Sequence, residues 1–324
     1  MASILPFRCS LALCVLALFF CASPAWAWGC KGHQTIALIA EKHLTPEARQ
    51  FADRLLKENP VDPRLRRYCG NSSRDLLADA STWPDDVRND EKNGPWHYID
   101  IPRGVSRGSI EQYCGAEGCV TKAIAEEWAI LKDQHAQPRR RAEALRYLVH
   151  FVGDLHMPLH AITNNDEGGN CVAVRYFRRR PHPVNNSFVP NLHALWDTAI
   201  PERDMEGAEP PEYSDFLELM FSAEVEKWQK AGIHLDDWAW ESHDLAEGVA
   251  YGELAPSVPV EKPLPVHSCS DANNIGERMM RMHFYAGENY QAIAGPIVEE
   301  RLAQAGVRLA MIVNEAAQSA SATK

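Results

Sequence analysis

The stretch RAEALRYLVHFVGDLHMPLH, residues 141–160, decides the fold class. It places Leu145, Leu148, Val152 and Leu155 at spacings of three and four, which is the period of an amphipathic helix. The same period recurs along most of the chain and predicts helices at 33–43, 46–57, 73–87, 120–135, 212–231, 274–293 and 296–314. We therefore predict an all-α fold, built as one mainly helical domain with long functional loops, because no break in composition divides the chain.

Three segments predict departures from the helical pattern. The stretch CVAVRYF, residues 171–177, alternates in polarity and predicts a short strand in a loop excursion. The proline-rich residues 253–270 predict an ordered surface loop or a linker within the domain. The composition of the last residues predicts a disordered tail at 317–324, so that the folded domain covers residues 28–316.

Residues 1–27 have the pattern of a secretory signal peptide. Arg8 precedes the apolar run LALCVLALFFCA, and SPAWA follows as a small-residue cleavage site. A membrane span needs about 20 apolar residues, and this run is shorter. We expect cleavage after Ala27, a mature chain that begins at Trp28, and a secreted or periplasmic protein without stable membrane association.

The cysteines predict disulfide bonds. The signal peptide removes Cys9, Cys14 and Cys21, and an even number remains in the exported chain: Cys30, Cys69, Cys114, Cys119, Cys171 and Cys269. An oxidising compartment favours disulfides over free thiols. The tight loop CGAEGC predicts a Cys114–Cys119 bond, whereas the other four cysteines allow three pairings between which the sequence does not choose.

The net charge restricts the way in which the protein can bind an anion. The chain has 33 Lys and Arg against 44 Asp and Glu, a formal net charge of −11. It therefore lacks the basic surface of a protein that binds nucleic acid through Lys and Arg alone. The run Arg178–Arg180 is one place where a phosphate backbone could bind, although such a run in a polar loop is more often only solvated. An anionic substrate would need another source of positive charge.

Histidine and aspartate recur at metal-binding spacing. His150 and Asp154 are four residues apart and share one helical face, and His193 and Asp197 repeat that spacing. His160 lies between the two pairs, just after a proline that ends the helix. Zinc takes imidazole and carboxylate ligands, so these residues together predict zinc binding.

A single H-x-x-x-D pattern is more often a local side-chain pair, and the remaining histidines lack such partners. We interpret the following as ordinary surface or core residues: His43, His135, His182, His234, His243, His267 and His283. His156 lies on a different helical face from Asp154 and is predicted to support a ligand or to line the pocket wall.

Six motifs together carry a family resemblance. They are W-G-x-x-G-H at 28–33, W-P-D-D-V-R at 83–88, W-H-Y-I-D at 96–100, H-F-V-G-D-L-H-M-P-L-H at 150–160, G-G-N at 168–170 and N-L-H-A-L-W-D at 191–197. In this order they resemble the S1/P1 nuclease family, secreted three-zinc nucleases that prefer single strands and belong to the wider zinc phospholipase C superfamily. The resemblance runs from Trp28 to about residue 200, beyond which only helical character agrees.

The resemblance implies a ligand set for three Zn²⁺ ions. One zinc would be held by Asp85, His97, His150 and Asp154. A second would be held by His33, by the shared Asp154, and by the free amine and carbonyl oxygen of Trp28. The third would be held by His160, His193 and Asp197. Asp86 competes with Asp85, but the spacing from Trp83 favours Asp85. Zinc can displace a proton from the Trp28 amine near neutral pH, because α-amino groups have a pKa of about 7.7–8.0.

The resemblance also implies catalytic and substrate-binding residues. Asp85, Asp154 and Arg88 would be catalytic, with Arg88 neutralising the phosphoryl transition state. A surface salt bridge from Arg88 to Asp85 or Asp86 is the alternative. Tyr98 and Asp100 would form a base pocket, although Tyr98 could equally be a core residue because it lies in an apolar run. Asn170 would be a pocket residue that fixes the loop beside the third zinc.

The implied activity is hydrolysis of single-stranded DNA and RNA at the P–O3′ bond, which leaves 5′-phosphates, together with 3′-nucleotidase activity on 3′-nucleotides. Three zinc ions and three ligand carboxylates leave a net charge of about +3 in the pocket, so the metals would attract phosphate to an acidic protein. We expect the protein to be a monomer. The alternative is a zinc phospholipase C, where the first His lies further from Trp28 and a Glu replaces Asp197. A non-catalytic zinc protein is disfavoured by the complete ligand set with Arg88.

Overall fold

The structure is a computed structural model and is described for residues 28–69, 75–184, 187–262, 269–270 and 275–321. The predicted signal peptide at 1–27 and its cleavage site lie outside these residues. The α-helices are α1 (Gly29–His43), α2 (Pro46–Glu58), α3 (Leu76–Ala80), α4 (Trp83–Asp86), α5 (Arg88–Glu91), α6 (Val120–Lys132), α7 (Pro138–His156), α8 (Leu192–Ala194), α9 (Ile200–Asp204), α10 (Pro210–Met220), α11 (Val225–Ala231), α12 (Leu235–Leu245), α13 (Ile275–Met282) and α14 (Glu288–Ser321).

Short helical turns and strands complete the architecture. The 3₁₀ turns are Gly94–His97, Glu111–Tyr113 and Pro158–His160, and the π-helical turns are Leu195–Ala199 and Ala246–Tyr251. Strand β1 (Val174–Tyr176) pairs in parallel with β4 (Phe284–Ala286), and β2 (His182–Val184) pairs antiparallel with β3 (Ser187–Val189). The predicted all-α class and single mainly helical domain are confirmed.

Helix α7 lies at the centre of the fold. Every residue from Ala144 to His156 is buried, so this helix is covered on all sides. It packs against α6, α14, α2 and α12, and its other neighbours include α1. A helix that is buried all round must bury its polar side chains as well, and each of these needs a partner. Those polar side chains include His150 and Asp154.

The ends of α7 follow from its sequence. Pro138 occupies the first turn, where its missing N–H is not needed. At the other end, Pro158 follows Met157 and the chain tightens into the 3₁₀ turn that carries His160.

Helices α1 and α14 pack along each other. Gly306 allows their close approach, because a Cβ there would lie 2.5 Å from Ile39 Cγ2.

A loop excursion with a short hairpin separates the two H-x-x-x-D motifs. It leaves after Cys171 and returns at Leu192, whose backbone N–H donates to the Val172 carbonyl at 2.9 Å. The predicted strand at 171–177 is observed as β1, which is shorter. The Asn191 side chain accepts from the Ala194 N–H at 2.8 Å and starts α8. The excursion therefore ends beside His193.

Several helix boundaries differ from the predicted ones. The predicted helices at 73–87 and 212–231 are each broken into shorter helices. Helix α12 was not predicted, because it buries two polar side chains. These are Ser242 and His243, which are satisfied by hydrogen bonds to the Leu155 and Pro102 carbonyls. The two helices predicted at 274–293 and 296–314 are divided elsewhere, at β4. Pro296 lies inside α14, where burial of Ala294 and Val298 on either side outweighs one lost hydrogen bond. Helix α14 continues to Ser321, into the segment predicted as a disordered tail.

The disulfide bonds are Cys30–Cys69, Cys114–Cys119 and Cys171–Cys269. The predicted Cys114–Cys119 bond is confirmed, and the structure supplies the pairing of the other four cysteines. The Cys171–Cys269 bond joins the start of the excursion to the end of the proline-rich loop.

Candidate metal centre

Three clusters of histidine and aspartate lie in the interior. In each cluster the potential ligand atoms lie within 4.8 Å of one another. The clusters consist of His33, His150 and Asp154; of Asp85, His97 and His150; and of His160, His193 and Asp197. All eight side chains are buried, and they are the eight side chains that the sequence predicts as metal ligands. A fourth group, Glu167 with Cys171 and Cys269, offers no thiolate because its two sulfurs form a disulfide.

Helices α1 and α7 bring the first cluster together. His33 lies on α1, whereas His150 and Asp154 lie one turn apart on α7. Gly153 makes their contact possible, because a Cβ at this position would lie 2.9 Å from His33 Nδ1. The His33 and His150 rings stack with centroids 4.0 Å apart.

Asp154 joins the first cluster to the second. Its Oδ2 lies 2.9 Å from His97 Nδ1 and 3.2 Å from His150 Nε2, while its Oδ1 lies 3.3 Å from His33 Nε2. Asp85 Oδ1 lies 3.8 Å from His97 Nδ1 and 3.7 Å from His150 Nε2. One carboxylate therefore faces both clusters, as the shared role predicted for Asp154 requires.

The third cluster is built by the 3₁₀ turn at 158–160 and by the π-helical turn that follows α8. His193 Nε2 lies 3.1 Å from Asp197 Oδ2. His160 joins them with its ring stacked on that of His193 at 5.1 Å. The spacing of four residues keeps His193 and Asp197 on one face even though the turn is wider than an α-helical one.

Backbone carbonyls fix the tautomer of three of the histidines. His150 Nδ1 donates to the Ser81 carbonyl, His160 Nδ1 to the His97 carbonyl, and His193 Nδ1 to the Gly168 carbonyl, each at 2.7 Å. A carbonyl can only accept, so Nδ1 keeps its proton, and in the neutral ring the Nε2 lone pair faces the cluster. Metal-bound histidines characteristically have this arrangement.

The clusters contain buried polar atoms that no protein group satisfies. Among the described residues, no well-aligned hydrogen bond is made by His33 Nε2, Asp85 Oδ1, Asp154 Oδ1 or either carboxylate oxygen of Asp197. A buried carboxylate without a partner is costly, and native proteins rarely contain one. Divalent cations would satisfy these atoms, and the imidazole and carboxylate donors suit zinc. The residues present therefore fit the metal that the sequence predicts.

Burial disfavours the charged form of the ionisable side chains in the clusters. It raises the pKa of Asp85 to about 7 and lowers the pKa values of His97 and His160 to about 3. For His150, burial lowers the pKa, but the carboxylates of Asp154 and Asp85 outweigh burial and raise it to about 9. The metal-free protein thus opposes ionisation of Asp85, which a cation would favour.

Trp28 is anchored between these elements by its ring. The residue is fully buried, and its indole Nε1 donates to the Gly153 carbonyl at 2.8 Å. Its backbone is in the left-handed region, with φ of 36°. The next residue, Gly29, passes close to the turn that carries Asp197, because a Cβ there would lie 3.0 Å from Thr198 Oγ1. The backbone of Trp28 is therefore held next to the clusters.

Arg88 begins α5 and lies close enough to the clusters to act on several of their members. Burial is the largest influence on the pKa values of Asp85, His97, His160 and His193, and the charge of Arg88 is a smaller one that favours the ionised carboxylate and disfavours the protonated imidazoles. Of the two competing carboxylates, Asp85 lies in a cluster, whereas Asp86 pairs with Arg67 at 2.6 Å and lies outside the clusters of the described residues.

Tyr98 and Asp100 line an open cavity of about 220 Å³. The disulfide loop at 115–119 forms its opposite wall, together with Pro95 and Tyr113. The Ile99 N–H donates to the His160 carbonyl at 2.8 Å, so the cavity adjoins the third cluster. Desolvation by the surrounding protein and the negative charges of Asp166 and Glu167 raise the pKa of Asp100 to about 6.

Asn170 uses its side chain within its own loop, where its amide donates to the Glu167 carbonyl at 2.8 Å. Asp166, which was not predicted from the sequence, holds the same loop from inside. Its carboxylate accepts from the Gly169 N–H at 3.0 Å and from the Tyr251 hydroxyl at 2.9 Å. This contact directs the Gly168 carbonyl towards His193. The glycines of G-G-N mark the loop, but no sequence signal connects Asp166 to the distant Tyr251.

His156 lies away from the clusters. Its Nδ1 donates to the Val152 carbonyl at 2.7 Å, and its Nε2 accepts from Arg308 Nη1 at 2.9 Å. The side chain points towards α14 rather than towards the metal ligands. The prediction that His156 supports a ligand or lines the pocket is therefore not met, because its helical face is turned to the opposite side of α7.

Comparison with known proteins identifies the family. The family model described as S1/P1 Nuclease matches residues 28–318. The chain belongs to the S1/P1 nuclease family. Members of this family are zinc-dependent in general, and the protein is a nuclease, a hydrolase that acts on the phosphodiester bonds of nucleic acids. Among the described residues, every helix is too short or too polar to cross a membrane.

The similar proteins include plant and fungal S1/P1 nucleases. Endonuclease 4 from Arabidopsis thaliana is 29% identical over 318 residues, which cover 93% of this chain and 92% of that protein. Nuclease S1 from Aspergillus oryzae is 27% identical over 294 residues, 88% of this chain and 90% of that protein. Nuclease P1 from Penicillium citrinum is 33% identical over 187 residues, 54% of this chain and 59% of that protein.

Proposed function

We propose that this nuclease binds three Zn²⁺ ions, hydrolyses single-stranded DNA and RNA to 5′-phosphate products, and removes the phosphate of 3′-nucleotides. The main support is the set of three buried clusters whose unsatisfied oxygen and nitrogen atoms converge. The open cavity at Tyr98 adjoins the third cluster, so a base and its phosphate could be bound side by side.

The ligand assignment follows the clusters. Asp85, His97, His150 and Asp154 would hold one ion, and His160, His193 and Asp197 another. Asp154 and His33 would hold the remaining ion together with the amine and carbonyl oxygen of Trp28. When bound, zinc supplies positive charge for the phosphate and lowers the pKa of water towards neutrality.

The protein groups orient the substrate and the metal ligands. Arg88 would bind the non-bridging oxygens of the scissile phosphate, where a guanidinium can donate two parallel hydrogen bonds. Asp85 and Asp154 would keep His97 and His150 in position and balance charge next to the reacting phosphate. The carbonyl of Ser81 holds the proton of His150 at Nδ1, so this ring offers only its lone pair to the site.

The cavity beside the third cluster supports a preference for single strands. Tyr98 is 36% exposed and offers a ring on which a base can stack. Asp100 offers a carboxylate that can accept hydrogen bonds from a base edge. A base must leave its neighbours to enter such a cavity, and this costs least in a single strand. The same cavity, together with Arg88, would also be sufficient to bind the base and the phosphate of a 3′-mononucleotide. Asn170 would stabilise the loop beside the third zinc.

The proposed location is outside the cytoplasm. The predicted signal peptide, the three disulfides and the start of the family match at Trp28 all support export after cleavage at Ala27. Cleavage would create the amine that the second zinc needs. We propose that the mature protein acts as a monomer.

The test is hydrolysis by the mature protein of four substrates at equal phosphate concentration: single-stranded DNA, single-stranded RNA, the matching duplex DNA and phosphatidylcholine. The proposal predicts rapid cleavage of both single strands, slower cleavage of the duplex, intact phosphatidylcholine, and loss of all activity on adding a chelator. Cleavage of the lipid in place of nucleic acid would contradict it. Analysis of product ends must show 5′-phosphates, and 3′-AMP must release inorganic phosphate.

A further inference from the structure

The loop excursion between the metal ligands has a charge composition unlike the rest of the chain. From Gly168 to Trp196 the sequence contains no Asp or Glu, although the chain as a whole has a net charge of −11. The same segment contains four arginines, namely Arg175 and the run Arg178–Arg180. We call these four residues the arginine strip. Its positive charge is concentrated in a protein that elsewhere repels polyanions.

The arginine strip is exposed and is not neutralised by carboxylates. All four side chains are exposed, and within the described parts of the chain none of them forms an ion pair. The polar contact of Arg175 is with the Phe177 carbonyl, at 3.0 Å. Several exposed arginines elsewhere do have acidic partners, such as Arg64 with Asp62 at 2.8 Å and Arg107 with Asp244 at 2.6 Å. The arginine strip therefore keeps its donors available for an external anion.

An exposed aromatic ring lies beside the arginine strip. The pairing of β1 with β4 puts Arg175 opposite Tyr285, and the guanidinium lies 5.3 Å from the centre of the Tyr285 ring. This ring is 45% exposed. Guanidinium groups next to an exposed aromatic ring are the combination with which proteins bind single-stranded nucleic acid, since phosphates pair with the cations and bases stack on the ring.

The arginine strip is connected to the metal centre by short stretches of chain. Arg175 follows Asn170 by five residues, and an extended strand advances about 3.3 Å per residue, so the two lie within about 17 Å of each other. The Ser187 hydroxyl donates to the Asn170 carbonyl at 3.0 Å and ties the hairpin to this loop. The loop also carries Gly168, whose carbonyl holds His193.

We infer that the arginine strip and Tyr285 bind the phosphate backbone of a single-stranded nucleic acid outside the metal centre. This inference rests on the proposed function and adds an extended site to it. A polymer bound at the clusters reaches the arginine strip with its neighbouring nucleotides, whereas a 3′-mononucleotide does not. The arginine strip would therefore favour polymers over mononucleotides without changing the chemical step.

The test compares two triple variants of the zinc-loaded protein. The first is Arg178→Gln/Arg179→Gln/Arg180→Gln. The matched control is Arg64→Gln/Arg107→Gln/Arg281→Gln, which removes the same charge from exposed arginines that have acidic partners. The probe is a phosphorothioate oligothymidylate of about ten nucleotides, chosen because it resists hydrolysis and is long enough for an extended site. Affinity is measured against salt concentration, and 3′-AMP and oligonucleotide hydrolysis are measured in parallel.

The arginine-strip variant is expected to bind the probe roughly tenfold more weakly at low salt. Its plot of log affinity against log salt is expected to be shallower by about 2, because each lost phosphate contact on a single strand removes about 0.7 from the slope. The KM for oligonucleotide rises, the rate on 3′-AMP stays unchanged, and the control variant matches the wild type. The variant Arg178→Lys/Arg179→Lys/Arg180→Lys is expected to restore most of the slope.

Three outcomes would overturn the inference. One is an arginine-strip variant with the same salt slope and KM as the control. Another is equal weakening in both triple variants, which would mean that net charge alone matters. The third is binding to phosphatidylserine vesicles that depends on the arginine strip while oligonucleotide binding does not. If the wild-type protein binds the probe through the arginine strip but hydrolyses neither nucleic acid nor 3′-AMP, the proposed function fails while this inference stands.

Discussion

Helix α7 buries a polar cluster on each of two opposite sides, and the two differ in how their atoms are satisfied. On one side, His150 and Asp154 meet other histidines and aspartates, and several oxygens lack a well-aligned hydrogen bond within the described parts of the chain. On the other side, His156 accepts from Arg308, which in turn pairs with Glu241 at 2.5 Å. Apart from Arg308 Nε, the described atoms of this second network have partners.

The comparison shows that burial of polar residues does not by itself mark an active site. The Arg308 network contains its own countercharges and is complete as a protein structure, so it serves to join α7, α12 and α14. The His150 side contains acceptors and lone pairs that lack a donor among the described residues, and we expect cations to satisfy them. The effect of a substitution on the His150 side should therefore depend on a chelator, whereas the effect of one on the Arg308 side should not.

The largest effect is expected for Asp85→Asn. The variant should bind one zinc ion fewer, and its kcat/KM should fall at least about 10³-fold, because a metal supplies several kcal/mol of charge stabilisation to the transition state. In chelator at pH 8, its Tm should equal or exceed that of the wild type. Burial raises the pKa of Asp85 to about 7, so without zinc the ionised carboxylate opposes folding above that pH, and asparagine removes this cost. Calorimetry with and without chelator checks this, and a Tm of Asp85→Asn below that of the wild type in chelator would contradict it.

Arg88→Lys and Arg88→Gln test the substrate-facing part of the same side. Loss of the forked guanidinium should reduce kcat by about 10²–10³-fold while the zinc content stays at the wild-type value. Kinetics on 3′-AMP and elemental analysis of the same sample provide the measurement. Loss of zinc in either variant would assign Arg88 to the stability of the clusters instead.

Asp166→Asn tests the loop that orients His193. The amide can still accept from Gly169, but it loses charge and one acceptor for Tyr251, so the Gly168 carbonyl should hold the ring less firmly. Groups that orient metal ligands typically contribute 10- to 100-fold to metal affinity or activity, and a loss of that size is expected here. The measurement is activity against free zinc concentration. Restoration of full activity by excess zinc would be consistent with this role, and unchanged zinc dependence would exclude it.

A smaller effect is expected from the pH dependence at Asp100. Its pKa is raised to about 6, so the carboxylate is ionised above that pH and protonated below it. The ionised form accepts hydrogen bonds from a base, so KM for a 3′-nucleotide should rise a few-fold as the pH falls through about 6. In Asp100→Asn this step should disappear while any pH dependence of kcat remains. A wild-type KM that is constant from pH 5 to 7 would disprove the role.

No effect on activity is expected on the opposite side of α7. Arg308→Met removes one partner of a partly buried ion pair and should cost about 2–4 kcal/mol of unfolding free energy. The loss should be the same with zinc and with chelator, and kcat per folded molecule should not change. Urea unfolding under both conditions measures this, and a loss of zinc from Arg308→Met would break the distinction between the two sides.

The proximity of the proposed metal ligands could be predicted from the sequence because their geometry is local. In His150–Asp154 and His193–Asp197 the period of a helix places both side chains on one face, and short motifs contain the remaining ligands. The family resemblance then supplied the grouping, and the structure brings the same residues together.

Features that depend on distant contacts could not be predicted in this way. The pairing of Cys171 with Cys269, the contact of Asp166 with Tyr251 and the continuation of α14 through Pro296 each depend on packing between segments far apart in the chain. His156 was misjudged for the same reason, because its partner Arg308 lies 152 residues away.

The most direct measurement is the zinc content of the purified mature protein that begins at Trp28, determined by elemental analysis after exhaustive dialysis. We expect three zinc ions per chain, one for each group of unsatisfied buried atoms. A content of two or fewer in protein that is folded and correctly processed would contradict it.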